Sequence, residues 1–137
     1  MKPEDHIKRY KQMRTTLHDL MSKPIQEKDN ASIVTIAHWA SYHLVSTIID
    51  QLNILERLKH RNHRGIKKSL KSLEVKEIIG DQSIKILDLY NKLESNFLSK
   101  YQYGRIDKEL NDGEMKELLV ELEEICKKIT DKIQRDH

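Results

Sequence analysis

The chain has 137 residues and a mass of 16.3 kDa, which predicts one domain over residues 1–137. Charged residues make up 34 %, hydrophobic residues 37 %, and the formal net charge is +3, with a mean hydropathy of −0.72. The single cysteine, Cys126, excludes an intramolecular disulfide framework and a multi-cysteine zinc site, and its use points to a reducing, cytoplasmic setting. No apolar run is long enough to span a bilayer, and Met1–Leu20 is charged throughout, which predicts neither a membrane segment nor a secretory signal.

Pro3 suits a first helical turn, and Glu4 and Asp5 follow it at the positive end of the helix dipole. Ile7, Tyr10, Met13, Leu17, Leu20 and Met21 recur at spacings of three and four, which predicts a first helix from Pro3 to Met21, ended by Pro24. Asp29 or Asn30 caps a second helix expected from Ala31 to Leu58. Its apolar set, from Ile33 through Trp39, Leu44 and Ile48 to Leu58, covers more than one face, as in a helix with neighbours on several sides.

Gly65 interrupts the pattern, and a short helix from Ile66 to Leu73 is expected after it. The third long helix is predicted from Asp81 to Tyr103. Its stripe is Ile84, Leu87, Tyr90, Leu93 or Glu94, Phe97 and Tyr101, with Gly104 as its stop. Asn111 and Glu114 have capping-box spacing, and Met115, Leu118, Leu122, Ile125, Ile129 and Ile133 carry a last helix to the C-terminus. No segment alternates with period two, so no strand is expected. The fold class is all-α: an antiparallel up-down four-helix bundle with a short extra helix between the second and third long helices.

Charge is unevenly distributed. Arg57, Lys59, Arg61, Arg64, Lys67, Lys68 and Lys71 fall between Arg57 and Leu73 with no acid among them. That segment carries +7 against a chain total of +3, so the remainder is −4. A basic stretch inside a slightly acidic protein points to an anionic partner, although a solvated helix face accounts for many such runs. The N-terminus of the helix after Gly65, flanked by Arg64, Lys67 and Lys68 with His60 and His63 as further donors, would favour a phosphate. His60 and His63 have no carboxylate or thiolate support, and the cations around them would repel a metal ion.

Polar residues also interrupt the most apolar helix. His43, Thr47 and Asp50 share a face at i, i+4, i+7, and His38 and Tyr42 share another. Two helical turns separate His43 from Asp50 by about 10 Å, so they could be linked only through an intermediary. A buried imidazole needs a hydrogen-bond partner, which predicts that His43 pairs with a polar group on a neighbouring helix. Cys126 lies on an apolar stripe and reads as core filling.

The run Ala37-His38-Trp39-Ala40-Ser41-Tyr42-His43 resembles the alanine–aromatic–aromatic–alanine–x–aromatic–histidine signature of the HEPN (higher eukaryotes and prokaryotes nucleotide-binding) domain family. His63-Arg64-Gly65-Ile66 is similar to the histidine–x–glycine–aliphatic element of the same family, and Leu87 to Gly104 fits its third long helix. The resemblance implies a helical bundle that binds a nucleotide or RNA without a cofactor, as a homodimer or beside a small nucleotidyltransferase in a toxin–antitoxin pair. Nuclease members of the family are similar in carrying arginine, four to six residues and then histidine near the end of that helix. Here Asn96 and Tyr101 stand in those places, and Tyr103 is the only trace. Cleavage of RNA needs a group titrating near neutrality and a cation for the phosphorane, and a phenol with an ordinary pKa of about 10 is a poor substitute.

The leading expectation is therefore a non-catalytic nucleotide- or RNA-binding module with no catalytic residues. A metal-independent ribonuclease with a rearranged site, using Arg57, His60, His63 or His43, is the first alternative. A structural protein-interaction subunit is the second.

Overall fold

The computed structural model describes residues 3–23, 29–54, 65–103 and 110–136, and side chains within them apart from those of residues 53, 54, 73, 74, 101–103 and 136. It is all-α: among the described residues there is no strand. Six α-helices are α1 (Pro3–Met21), α2 (Asn30–Ile54), α3 (Ile66–Lys71), α4 (Leu73–Ile79), α5 (Gln82–Lys92) and α6 (Asp112–Asp136). A π-helix, Leu93–Tyr103, continues α5.

Local chemistry accounts for the boundaries. Asp29 caps α2: its carboxylate accepts from the Ser32 amide at 3.2 Å and the Ser32 hydroxyl at 2.8 Å. These bonds hold its carboxyl below the usual carboxylate range. Asn111 and Glu114 form the expected capping box, with the Glu114 amide donating to Asn111 Oδ1 at 3.1 Å and Asn111 Nδ2 to Glu114 Oε2 at 3.3 Å. The expected ends at Leu58 and Gly104 lie outside the described residues.

The short helix after Gly65 differs from expectation. It stops at Lys71, because Ser72 takes an extended conformation (φ −67°, ψ 145°) and caps a separate helix, α4, by accepting from the Val75 amide. Gly80 ends α4 at φ +62°, a conformation that strains any residue with a Cβ, while its amide donates to the Lys76 carbonyl at 2.8 Å.

α2 packs against α1, the π-helix and α6, and also touches α3 and α5. Its Ile33, Val45, Ile48, Ile49 and Leu52 are almost wholly buried, as are Met115 and Leu122 of α6. A helix buried on so many sides needs apolar residues around most of its circumference, which explains why its pattern reads as more than one face.

The third long helix differs in register and in winding. The buried face of α5 is Ser83, Ile86, Leu89 and Tyr90, continued by Leu93 and Phe97. Ile84 is exposed and Leu87 half-buried. Two apolar registers compete in this segment, and the one that includes Ile86 and Leu89 runs on without a break into Leu93 and Phe97. Ser83 fits that face because its hydroxyl donates to the Gly80 carbonyl at 3.0 Å. Beyond Lys92 the winding widens to i→i+5 bonding.

Candidate functional site

α1 and α2 meet through a buried polar chain. His6 Nδ1 lies 2.8 Å from His43 Nδ1, and His6 Nε2 lies 3.1 Å from Asp50 Oδ2. His6, His43 and Asp50 are 3 %, 7 % and 5 % exposed. His6 is thus the intermediary that joins His43 to Asp50 across two turns of α2, and the expected partner of His43 on a neighbouring helix. His6 continues the stripe of Leu17, Met13 and Tyr10 back by one turn, so its inward position could be read from spacing. In the first turn of α1 it is His6, and not the half-buried Ile7, that is buried. Thr47 shares the face but stands outside the chain, because its hydroxyl donates to the His43 carbonyl at 2.9 Å.

Hydrogen-bond inventory fixes the proton count. Two Nδ1 atoms in contact hold one proton between them. The Asp50 carboxylate beside Nε2 favours a proton there, so neutral His6 accepts at Nδ1 and His43 donates. If His6 is cationic it donates at both nitrogens and His43 accepts. The pair then holds one positive charge opposite one carboxylate.

A second polar group lies on the other face of α2. His38 Nε2 is 3.5 Å from Glu94 Oε2, and the other oxygen of Glu94 pairs with the Lys67 ammonium. Burial pushes the His38 imidazole below its ordinary value, against the opposite pull of Glu94. Tyr90 packs on His38 with ring centroids 5.3 Å apart, and burial, then the charge of Glu94, pushes its phenol up to about 12. Lys67 is therefore engaged by a carboxylate from the π-helix and is not the open phosphate ligand the sequence suggests. Lys68 and Lys71 are exposed. α3 has only six residues, too few to offer the extended N-terminal dipole expected of it. Arg57, Lys59, His60, Arg61, His63 and Arg64 lie outside the described residues.

Aromatic rings line the rim between the two polar groups. Trp39 is edge-on to Tyr42 with centroids 5.5 Å apart, and Tyr42 is edge-on to His43 at 5.4 Å. Trp39 is 48 % exposed. This corrects its assignment to the apolar set of the central helix: Ala37 and Ala40 face the core, and the indole points the other way.

No family model matches the chain, and no curated protein or solved structure is similar to it. The HEPN resemblance thus stands on its own residues. Ala37 and Ala40 are nearly inaccessible, which lets neighbouring helices approach α2 closely, and His43 is tied to His6. Asn96, in the place of the nuclease arginine, is exposed on the π-helix, and the side chains of Tyr101 and Tyr103 lie outside the description.

Two further features complete the inventory. A groove of about 830 Å³ separates α1 from α6, with Leu17, Leu119 and Val120 in its lining. The Glu123 carboxylate beside it accepts from Tyr10 at 2.8 Å and from Arg14 at 2.7 Å, and burial, then that carboxylate, raise the Tyr10 phenol well above its ordinary value. Cys126 is buried, and burial pushes its thiol up to about 12. Among the described residues no three His, Cys, Asp or Glu side chains are grouped as a metal site needs.

Proposed function

We propose that the chain is a non-catalytic, cytoplasmic nucleotide- or RNA-binding module of the HEPN type. In this reading it is an antiparallel up-down four-helix bundle over residues 1–137, with α3 and α4 inserted between long helices. It works as a homodimer or beside a small nucleotidyltransferase. The observation that carries the reading is charge segregation: seven cations and no acid between Arg57 and Leu73, with Lys68 and Lys71 standing in solvent on α3. The all-helical fold and the central position of α2 agree with it.

The test is the salt dependence of binding to single-stranded RNA. Each phosphate neutralised contributes about 0.7 to the slope of log affinity against log salt, so several contacts give a steep decline from low to physiological salt. Lys68→Glu combined with Lys71→Glu lowers the affinity and flattens the slope. Wild-type protein that binds no RNA at low salt overturns the proposal.

One observation favours the ribonuclease reading. His43 is backed by His6, and His6 by Asp50, which is the order of groups that orients a general base. That reading requires RNA cleavage that resists EDTA. Pure protein that cleaves no RNA disposes of it.

A further inference from the structure

Trp39 is an anomaly on its helix. From Ala31 to Asp50 every other side chain is buried or half-buried, yet the largest one stands nearly half in water. Exposing an indole forgoes the burial of a large apolar surface, and an isolated exposed tryptophan on an otherwise covered helix calls for an occupant. The ring is held on one side. Tyr42 meets it edge-on, His43 lies tilted 35° with centroids 6.5 Å away, and His43 is anchored in turn by His6. Such buttressing leaves little rotational freedom to lose when a flat ligand settles on the indole.

The neighbours indicate what that ligand is. His38, the preceding residue, reaches Glu94, and Glu94 holds Lys67 beside the exposed Lys68 and Lys71. A rigid aromatic surface thus adjoins a cationic helix through contiguous side chains. Planar aromatic next to cation is the pairing that single-stranded nucleic acid recognition uses: the ring takes the base face and the cations take the backbone.

We propose that Trp39 is a stacking platform for an unpaired nucleobase of single-stranded RNA whose backbone runs toward α3. This rests on the RNA-binding reading above and adds a base contact to a site otherwise made of charges. Stacking of this kind tolerates any base, because every base has a π-face.

Trp39 is the only tryptophan of the chain, so intrinsic fluorescence reports on this side chain alone. The experiment titrates the full chain with short oligoadenylate at low salt, following both indole emission and a labelled oligonucleotide. The expected result is saturable quenching that parallels binding, with Trp39→Ala weakening affinity about five- to 150-fold and Trp39→Phe recovering much of the loss. Trp39→Ala is checked for wild-type helicity by circular dichroism, and the quenching measured on unmodified protein does not depend on that variant. Binding with unchanged emission and an unaffected Trp39→Ala variant overturns the inference and leaves the RNA-binding reading intact. Absence of any binding by the wild type overturns both. A dimer that dissociates in Trp39→Ala, with emission indifferent to RNA, makes the indole a self-association surface and overturns the inference.

Discussion

His6 on α1 and His43 on α2 touch through like atoms, Nδ1 to Nδ1, at 2.8 Å. The contact exists only while one of the two nitrogens carries a proton and the other offers a lone pair. It joins helices whose other contacts are apolar, and Asp50 orients it from the opposite nitrogen of His6.

Replacing His6 removes the link and leaves His43 and Asp50 without it in a buried setting. His6→Phe is expected to lower stability by about 3–5 kcal/mol, as when one member of a buried charged pair is deleted. Urea unfolding at neutral pH measures the loss. Asp50→Asn keeps an acceptor beside His6 and is expected to cost about 1–3 kcal/mol. Equal losses in the two variants would mean that packing of the His6 ring, and not the polar chain, holds α1.

His38 gives the protein a dependence on acidity with a definite sign. Its folded value lies below that of the unfolded chain, about 6.5, so the folded state binds the proton less readily. Its contribution is fully present above that value and is lost as pH falls through it. Wild-type stability is therefore expected to fall more steeply between neutral pH and pH 5 than that of His38→Gln. Glu94→Gln removes the charge that pulls the imidazole up and extends the decline to lower pH. Unfolding curves at a series of pH values decide this, with the slopes and not the absolute stabilities compared.

Glu94 also restrains Lys67. If the cationic helix meets RNA, Glu94→Gln releases one ammonium for phosphate, and affinity at low salt is expected to rise several-fold while the salt slope steepens by about 0.7. Lys67→Ala, whose charge is already paired, is expected to matter less than Lys68→Ala. Filter binding across a salt series separates these outcomes.

Cys126 is expected to be inert in the native protein. A buried thiol pushed up to about 12 holds almost no thiolate at neutral pH. A thiol reagent such as DTNB should leave it unmodified under native conditions and react with one equivalent after unfolding. Rapid native reaction would mean that α6 opens readily.

Much of this was legible before any coordinates. The range Pro3–Met21, the cap at Asp29 and the capping box at Asn111 follow from short-range chemistry, and short-range chemistry is what a sequence displays most directly. Distances across helices are less visible. The need for an intermediary between His43 and Asp50 could be stated, but His6 could be named only once α1 was laid against α2. Ile84 and Ile86 compete for the same buried face of α5, and only the continuation into Leu93 and Phe97 selects Ile86. Trp39 shows the opposite failure. Hydrophobicity assigns it to the core, because burial is the usual fate of an indole, and its outward position is set by Ala37 and Ala40 taking the inward places.

The wide coil from Leu93 to Tyr103 sets a condition on chain length. Because its carbonyls bond five residues ahead, the segment accommodates more chain per turn than the α-helix it extends. Deleting a single residue after Phe97 would let it rewind as ordinary helix. Glu94, upstream of the cut, would keep its grip on Lys67, but every side chain beyond would swing by about 100° relative to α5. The segment is thus a vernier between the anchored half of the molecule and the approach to α6, and its residue count, more than its composition, is the quantity that should resist change.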